Sequence, residues 1–235
     1  MPLIHLFLFD IDGTLLSAAT DAHVEALHAA LHEIHGVKAR RGRPRPSRAG
    51  RTDGEIAREI LLCAGVSARR IDERADDVRE CCCRSYARLC PEDLSHTVLP
   101  AIPELLDWLS ARDDVRLGLV TGNFETVARL KLARAGIGRY FPSGQGAFGS
   151  DSEDRAVLPA IARRRAGTGG VPHPRQRTVV VGDTPLDIAC ARADGLRCVA
   201  VATGPFGVNQ LAGADVAVVN AVELRGVLGT ELARP

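Results

Sequence analysis

The chain has 235 residues, of which 46% are hydrophobic and 25% charged, a composition typical of a folded globular protein rather than a disordered one. Thirty basic and twenty-nine acidic residues leave a formal net charge of +1, so no global field favours a nucleic-acid or membrane partner. No apolar run reaches transmembrane length, and the seven cysteines, three of them in succession, form a poor disulfide framework. We therefore expect a cytoplasmic protein with reduced thiols.

The first predicted element is a buried strand at LFLF, residues 6–9, which two aspartates follow. A short continuous apolar run is typical of a strand covered on both faces of a parallel sheet. Charge is costly inside such a sheet, so Asp10 and Asp12 are expected where the strand emerges. Side chains two apart on a strand point the same way, so both carboxylates can face one site, and Gly13 permits the sharp turn that follows.

The next region, residues 17–96, has the pattern of a helical segment. Apolar residues recur at helical spacing within residues 24–34 and again within residues 56–61. A third helix is predicted across residues 67–90, capped by a serine at its start and ended by the proline that follows it. Residues 38–51 hold seven basic residues and no aromatic residue, which favours a solvated loop over a nucleic-acid surface.

From Pro100 onward the pattern changes to strands that alternate with helices. Four apolar or β-branched runs end in small or polar residues: VRLGLVTGN, RTVVVGDT, LRCVAVATG and ADVAVVN. This alternation is typical of a doubly wound, Rossmann-like parallel sheet, so the predicted fold class is α/β. We expect residues 1–16 and 97–235 to form the core domain and residues 17–96 to form an inserted all-helical cap.

The candidate functional residues lie at the ends of the predicted strands. In a sheet of this kind ligands bind beyond the carboxyl ends of the strands. Those ends hold Asp10 with Asp12, residues 121–123, and Asp183. Each aspartate alone is explained as a turn residue, but three converging carboxylates would raise one another's pKa, and a divalent cation removes that conflict. Oxygen ligands of this type favour magnesium.

Four motifs together resemble those of the haloacid dehalogenase superfamily, and they occur in the same order. They are DIDGT at 10–14, VTGN at 120–123, EDR at 153–155 and GDTPLD at 182–187. The segment GRTDGEI at 50–56 is similar to the phosphoglycolate phosphatase-like subgroup with a helical cap. The resemblance covers the whole chain. It implies a magnesium-dependent phosphatase that hydrolyses a small soluble phosphomonoester through an aspartyl-phosphate intermediate.

The resemblance implies a role for each aspartate of the motifs. Asp10 would be the nucleophile that attacks phosphorus, and Asp12 would be the general acid and base. The magnesium ligands would be the Asp10 carboxylate, the Asp12 backbone carbonyl and Asp183. Asp187 would support the metal site, although its spacing from Thr184 also fits a helix capping box, and the two roles are equally open.

The resemblance also implies groups that bind the phosphate. Phosphoryl oxygens would be held by Thr121 and by the backbone N–H groups of Gly122 and Asn123 at the start of a helix. An anionic nucleophile that approaches an anionic phosphate needs positive charge on more than one side. Arg155 fits the basic residue of the third motif best, whereas Lys131 lies too early in the chain.

Two residues of the predicted cap are candidates for substrate contact. Arg51 directly precedes a predicted helix whose N-terminus favours an anion, and it either recognises a second negative group on the substrate or is one more solvated arginine. His23 lies near the hinge and is a further candidate for approaching the substrate.

Other activities on the same fold remain open at this point. The namesake dehalogenases lack the second aspartate of D-x-D, so Asp12 argues against their chemistry. Phosphonatases use a cap lysine, for which Lys38 is the only candidate. Phosphoglucomutase-like phosphoryl transfer shares all four motifs, and a non-catalytic phosphate-binding homologue is the remaining alternative, although no motif aspartate is missing. The expected partner is a small phosphorylated molecule, and the sequence carries no signature of an oligomeric state.

Overall fold

One parallel sheet organises the fold, in a computed structural model that describes residues 4–17, 21–38 and 48–234. Most of the predicted basic loop, residues 39–47, lies outside the described residues. Within them the sheet has six strands, in the spatial order β3-β2-β1-β4-β5-β6. The strands are β1 (His5–Phe9), β2 (Val115–Thr121), β3 (Ala147–Phe148), β4 (Thr178–Gly182), β5 (Arg197–Val201) and β6 (Val216–Val218).

The central strand β1 pairs with β2 on one side and β4 on the other, with Phe7 opposite both Leu117 and Val179. Alternate side chains of β1 enter two apolar cores, Phe7 and Phe9 on one face of the sheet and Leu6 and Leu8 on the other. A strand buried on both faces reads as an unbroken apolar run, which is why this segment was predictable. The α/β, Rossmann-like fold is confirmed.

Helices cover both faces of the sheet. Those of the described residues are α1 (Asp21–His35), α2 (Asp53–Cys63), α3 (Ala68–Glu73), α4 (Ala75–Leu89), α5 (Ile102–Ser110), α6 (Glu125–Arg134), α7 (Leu158–Ala166), α8 (Pro185–Ala193) and α9 (Ala221–Leu232). Buried residues of α5, α6 and α9 join the core that contains Phe7, whereas those of α7 and α8 join the core that contains Leu8. None of the helices in the described ranges is long and apolar enough to cross a membrane.

The helices α1 to α4 lie in the chain between β1 and the rest of the sheet, and we refer to them as the helical insert. The two connections to the insert run side by side: Leu16 forms an antiparallel bridge with Val98, and the Ser17 N–H donates to the Thr97 carbonyl at 2.7 Å. The chain therefore leaves the sheet and returns to it at one place. This geometry supports the predicted boundaries near residues 17 and 97, which remain a prediction.

Two elements differ from the sequence-based expectation. The helix predicted across residues 67–90 is divided at Arg74, which ends α3 and begins α4 with a non-helical φ of −120°. No glycine or proline marks this break in the sequence. The edge strand β3 has only two residues, flanked by glycines, which is too short for an alternation pattern to register.

Candidate active site

The turn after β1 brings two of the predicted aspartates to the carboxyl edge of the sheet. Asp10 is buried directly after the last residue of β1. Gly13 has a φ of +91°, and a Cβ at this position would lie 2.2 Å from a carboxylate oxygen of Asp183. The Thr14 hydroxyl donates to Asp183 Oδ1 at 3.1 Å. A glycine at position 13 therefore allows the first motif to approach the fourth closely.

Asp10, Asp183 and Asp187 form a buried cluster whose ligand oxygens lie within 4.8 Å of one another. Burial raises the pKa of Asp10 to about 7, against the opposing charge of Arg155. Burial, followed by the charge of Asp10, raises the pKa of Asp183 to about 8. Asp183 Oδ2 is buried and has no hydrogen-bond partner among the described residues. A buried, unpartnered carboxylate oxygen beside two further carboxylates fits a hard divalent cation, so this cluster could hold a metal.

Arg155 supplies the positive charge on the other side of Asp10. It lies just before α7, in a turn that the Asp154 side chain caps, and its Nη2 donates to Asp10 Oδ1 at 3.0 Å. The same nitrogen contacts Asp187. Burial alone would lower the pKa of Arg155, but the two carboxylates outweigh it and hold the pKa well above the ordinary value. A permanently charged guanidinium is thereby fixed beside the predicted nucleophile.

Asp187 forms the predicted capping box and also contacts Arg155, while its support of a metal site stays a prediction. Its Oδ2 accepts from the Thr184 backbone N–H at 3.0 Å, and its own N–H donates to Thr184 Oγ1 at 3.3 Å, which completes a capping box at the start of α8. Its other oxygen faces Arg155. The carboxylate that caps the helix therefore also anchors the cation beside Asp10.

The turn after β2 carries the predicted phosphate-binding residues. Thr121 is fully buried, and the Asn123 amide donates both to Thr121 Oγ1 and to Asp12 Oδ2, each at 2.9 Å. The helix α6 begins two residues later. Its first turn already has an anionic partner, because the Phe124 N–H donates to Asp53 Oδ2 of the insert at 2.8 Å. The N-terminus of α6 therefore binds a carboxylate of the insert.

Lys131 is a site residue that the sequence reasoning set aside as lying too early. It is fully buried on α6, and its ammonium donates to the two carboxylate oxygens of Asp12 at 2.8 and 2.7 Å and to Asn123 Oδ1 at 2.7 Å. Burial alone would raise the pKa of Asp12, but the Lys131 charge reverses this and the pKa is lowered. One signal was present in the sequence, since Lys131 lies four residues after Val127 on the apolar face of the helix.

The start of α2 docks against the turn after β2. The Asp53 N–H donates to the Gly122 carbonyl at 2.9 Å, and His23 of α1 lies 3.0 Å from the Asp53 carboxylate through Nε2. Thr52 caps α2 by accepting from the Glu55 N–H at 3.1 Å. The insert therefore contacts the same turn that carries the predicted phosphate-binding groups.

Arg51 lies at this junction, and its guanidinium is already paired. Its Nε donates to Glu55 Oε1 at 2.8 Å, and its Nη1 lies 2.5 Å from Glu59 Oε2. The Glu55 side chain is thus turned toward Arg51, although the spacing also allowed it to bond back to the Thr52 N–H. A role for Arg51 toward a second anionic group of the substrate stays a prediction.

These elements enclose one cavity of about 360 Å³ between the sheet edge and the insert. The sheet contributes most of the predicted site residues, and the insert contributes polar and apolar side chains above them. The lining residues include Asp10, Asp12, Thr121, Gly122, Asn123, Arg155 and Asp183 from the core, and His23, Val24, Leu27, Arg51, Asp53 and Ile56 from the insert. The structure therefore brings together the residues of all four motifs, while Asp187 lies behind the cavity.

A parallel sheet with carboxylates and an arginine converging at its strand ends is typical of α/β enzymes that bind phosphorylated ligands. A family model described as haloacid dehalogenase-like hydrolase matches residues 7–192. The chain therefore belongs to the haloacid dehalogenase-like hydrolases, and it is a hydrolase of phosphate monoesters.

The curated relatives that are similar to this chain are named for one activity, that of a phosphoglycolate phosphatase. The phosphoglycolate phosphatase of Pseudomonas savastanoi pv. phaseolicola is 28% identical over 207 residues, which covers 85% of this chain and 70% of that protein. Phosphoglycolate phosphatase 1 of Pseudomonas aeruginosa is 27% identical over 204 residues, with the same coverage of 85% and 70%.

Solved structures share the fold along nearly the whole chain. β-Phosphoglucomutase from Clostridium difficile superposes with a TM-score of 0.70 at 18% identity, covering 98% of this chain and 97% of that one. CbbY from Rhodobacter sphaeroides, in complex with phosphate, gives a TM-score of 0.66 at 20% identity, with coverage of 94% and 96%. At these identities the likeness concerns the fold alone.

Proposed function

We propose that this protein is a magnesium-dependent phosphatase that hydrolyses a small soluble phosphomonoester through an aspartyl-phosphate on Asp10. The observation that carries the proposal is the buried aspartate cluster, in which Asp183 Oδ2 has no hydrogen-bond partner within the described part of the chain and Asp10 is contacted by Arg155. The Asp10 carboxylate, the Asp12 backbone carbonyl and Asp183 would hold the magnesium ion. When bound, the ion would supply positive charge toward the phosphoryl oxygens and relieve the repulsion within the cluster.

The first half-reaction is phosphoryl transfer from the substrate to the protein. A carboxylate oxygen of Asp10 forms a bond to phosphorus while the bond from phosphorus to the leaving oxygen breaks. Thr121 and the backbone N–H groups of Gly122 and Asn123 orient the phosphoryl oxygens, and Arg155 stabilises their charge. Asp12, once protonated, gives its proton to the leaving alkoxide, which departs as an alcohol.

The second half-reaction returns Asp10 to its starting state. The Asp12 carboxylate takes a proton from water, and the resulting hydroxide oxygen attacks phosphorus as the bond to the Asp10 oxygen breaks, so inorganic phosphate leaves. The lowered pKa of Asp12 favours its ionised form, which is the form that accepts a proton in this step. The insert would act as a cap that limits access of bulk water during both steps, because it forms one wall of the cavity.

The substrate that we propose to test first is phosphoglycolate, because the curated relatives are named phosphoglycolate phosphatases. A cavity of about 360 Å³ is compatible with a small phosphomonoester. A cytoplasmic location is the corresponding proposal for the cell, and it is supported by seven cysteines that are all free thiols.

The testing experiment is a panel of phosphomonoesters, including phosphoglycolate, 4-nitrophenyl phosphate and glucose 1-phosphate, assayed with magnesium and with excess EDTA. We expect release of inorganic phosphate that requires magnesium and that calcium inhibits, since calcium's larger and more flexible coordination shell misplaces the nucleophile. Undiminished activity in EDTA would contradict the proposal. Conversion of glucose 1-phosphate to glucose 6-phosphate without release of phosphate would instead support the phosphoglucomutase-like alternative.

A further inference from the structure

Lys131 is the centre of a buried polar network that joins the core to the helical insert. Besides Asp12 and Asn123, its ammonium lies 3.2 Å from Nδ1 of His23, whose Nε2 lies 3.0 Å from Asp53 Oδ2. The Lys131 side chain is fully buried, and it is absent from the residues that line the cavity. Lys131 therefore faces Asp12 from behind and does not face the substrate.

The arrangement restrains the Asp12 carboxylate from two directions. The Lys131 ammonium reaches both carboxylate oxygens, at 2.8 and 2.7 Å, and the Asn123 amide donates to Oδ2 at 2.9 Å. Rotating this carboxylate away would leave an ammonium buried without its counter-charge, which is costly. Asp12 is the less protected partner, with 26% of its side chain exposed toward the cavity. One orientation of Asp12, facing the cavity, is thereby favoured over the others.

The negative charge of Asp10, the proposed nucleophile, does not need a second cation beside it. Arg155 already pairs with Asp10, and among the described residues Lys131 forms its ion pair with Asp12. An ion pair with a buried partner contributes little to stability compared with well-packed apolar groups, so stability alone is a weak reason for this pair. The two cations thus serve different carboxylates of the DIDGT motif.

We infer that Lys131 is a positioning residue for catalysis, which orients the Asp12 carboxylate toward the leaving-group oxygen and is itself held in place by Asn123 and by His23 of the insert. This inference rests on the proposed function, because it presumes that Asp12 is the general acid and base. It adds a residue outside the four motifs, and it makes the orientation of Asp12 depend on a contact from the insert.

The experiment compares Lys131→Met with Lys38→Met, a matched control because these are the chain's two lysines and Lys38 is exposed. The substrates are phenyl phosphate and 4-nitrophenyl phosphate, which are close in size but differ in how much the leaving group needs a proton. We expect Lys131→Met to lower kcat/KM at least about ten-fold for phenyl phosphate and less for 4-nitrophenyl phosphate. Inhibition by inorganic phosphate should be unchanged, as should all properties of Lys38→Met.

The decisive comparison repeats Lys131→Met in an Asp12→Asn background. If Lys131 acts through Asp12, Lys131→Met should change kcat/KM by less than about two-fold in this background, because residue 12 can no longer act as an acid or a base. An equal loss in both backgrounds, an equal loss on both substrates, or no loss at all would overturn the inference. Asp12→Asn alone separates the two claims, because full activity in that variant would instead refute the proposed role of Asp12.

Folding is monitored by circular dichroism melting in each variant. If Lys131→Met does not yield folded protein, Lys131→Gln carries the same comparisons, because glutamine is similar in length and retains an N–H donor for Asp12. We expect Lys131→Gln to lower kcat/KM for phenyl phosphate by less than Lys131→Met does. This loss should also disappear in the Asp12→Asn background.

Discussion

Gly122 lies at the closest approach of the insert to the phosphate-binding turn, so adding a single methyl group there tests how tightly the two must fit. A Cβ at this position would lie 2.1 Å from the Arg51 carbonyl oxygen and 2.9 Å from Thr52 Cα. Both neighbours are backbone atoms, which cannot swing aside as a flexible side chain can. Gly122→Ala therefore has to move the start of α2 away from the turn.

The size of that movement follows from the contact distance. Ordinary van der Waals contact begins at 3.4 Å, so the insert has to retreat by about 1 Å at this point. The shift would stretch the hydrogen bond from the Asp53 N–H to the Gly122 carbonyl, now 2.9 Å. A misplacement of about 1 Å can cost on the order of 10²-fold in rate, so we expect kcat/KM to fall by about ten-fold to a hundred-fold.

The assay is steady-state hydrolysis of 4-nitrophenyl phosphate, together with thermal melting followed by circular dichroism. The matched control is Gly226→Ala in α9, where an added Cβ meets nothing within 4 Å. That variant should keep its kcat/KM and gain about 0.5–1 kcal/mol of stability, because alanine is favoured over glycine within a helix. Wild-type kcat/KM in Gly122→Ala would refute the reasoning, since the insert would then not need to lie against the turn.

Three further predictions concern the charges of the site. Arg155→Met should lower kcat on the order of 10²-fold, whereas Arg164→Met, an exposed arginine of α7, should not; equal rates would remove Arg155 from the mechanism. Arg51→Ala should lower kcat/KM about ten-fold for phosphoglycolate, which carries a second anion, and leave 4-nitrophenyl phosphate nearly unchanged. Equal effects on both substrates would mean that Arg51 pairs with Glu55 and Glu59 and does not recognise the second anion. In metal-free protein, ionisation of Asp183 is unfavourable in the folded state, because its folded pKa of about 8 exceeds the ordinary 3.8. Asp183→Asn should therefore raise the melting temperature at pH 8, and this gain should shrink as the pH falls toward 5; no gain at pH 8 would show that ionised Asp183 does not destabilise the metal-free fold.

The sequence could predict those features that depend on local pattern. The strand β1 is an unbroken apolar run because both faces of the sheet are covered, and Asp10 follows it where the strand emerges. The capping box of Thr184 and Asp187 is likewise local, since its partners are three residues apart. These parts of the fold and of the site needed no knowledge of long-range contacts.

Other features depend on contacts between distant segments, which no local pattern encodes. The Lys131 ammonium contacts a carboxylate 119 residues away in the chain, whereas by sequence position Lys131 lies too early to be the basic residue of the third motif. The division between α3 and α4 at Arg74 could not be predicted either, because no glycine or proline marks it in the sequence.

The central claim is that Asp10 carries the phosphoryl group during turnover. It is tested most directly by mixing the Asp12→Asn variant with 4-nitrophenyl phosphate and magnesium, quenching in acid and mapping peptides by mass spectrometry. This variant should accumulate the intermediate, because the activated leaving group needs little protonation whereas hydrolysis of the phosphoenzyme lacks its base. We predict one phosphoryl group on Asp10, absent when Asp10→Asn is also introduced. Wild-type turnover by Asp10→Asn, or a phosphoryl group on a different residue, would contradict the account.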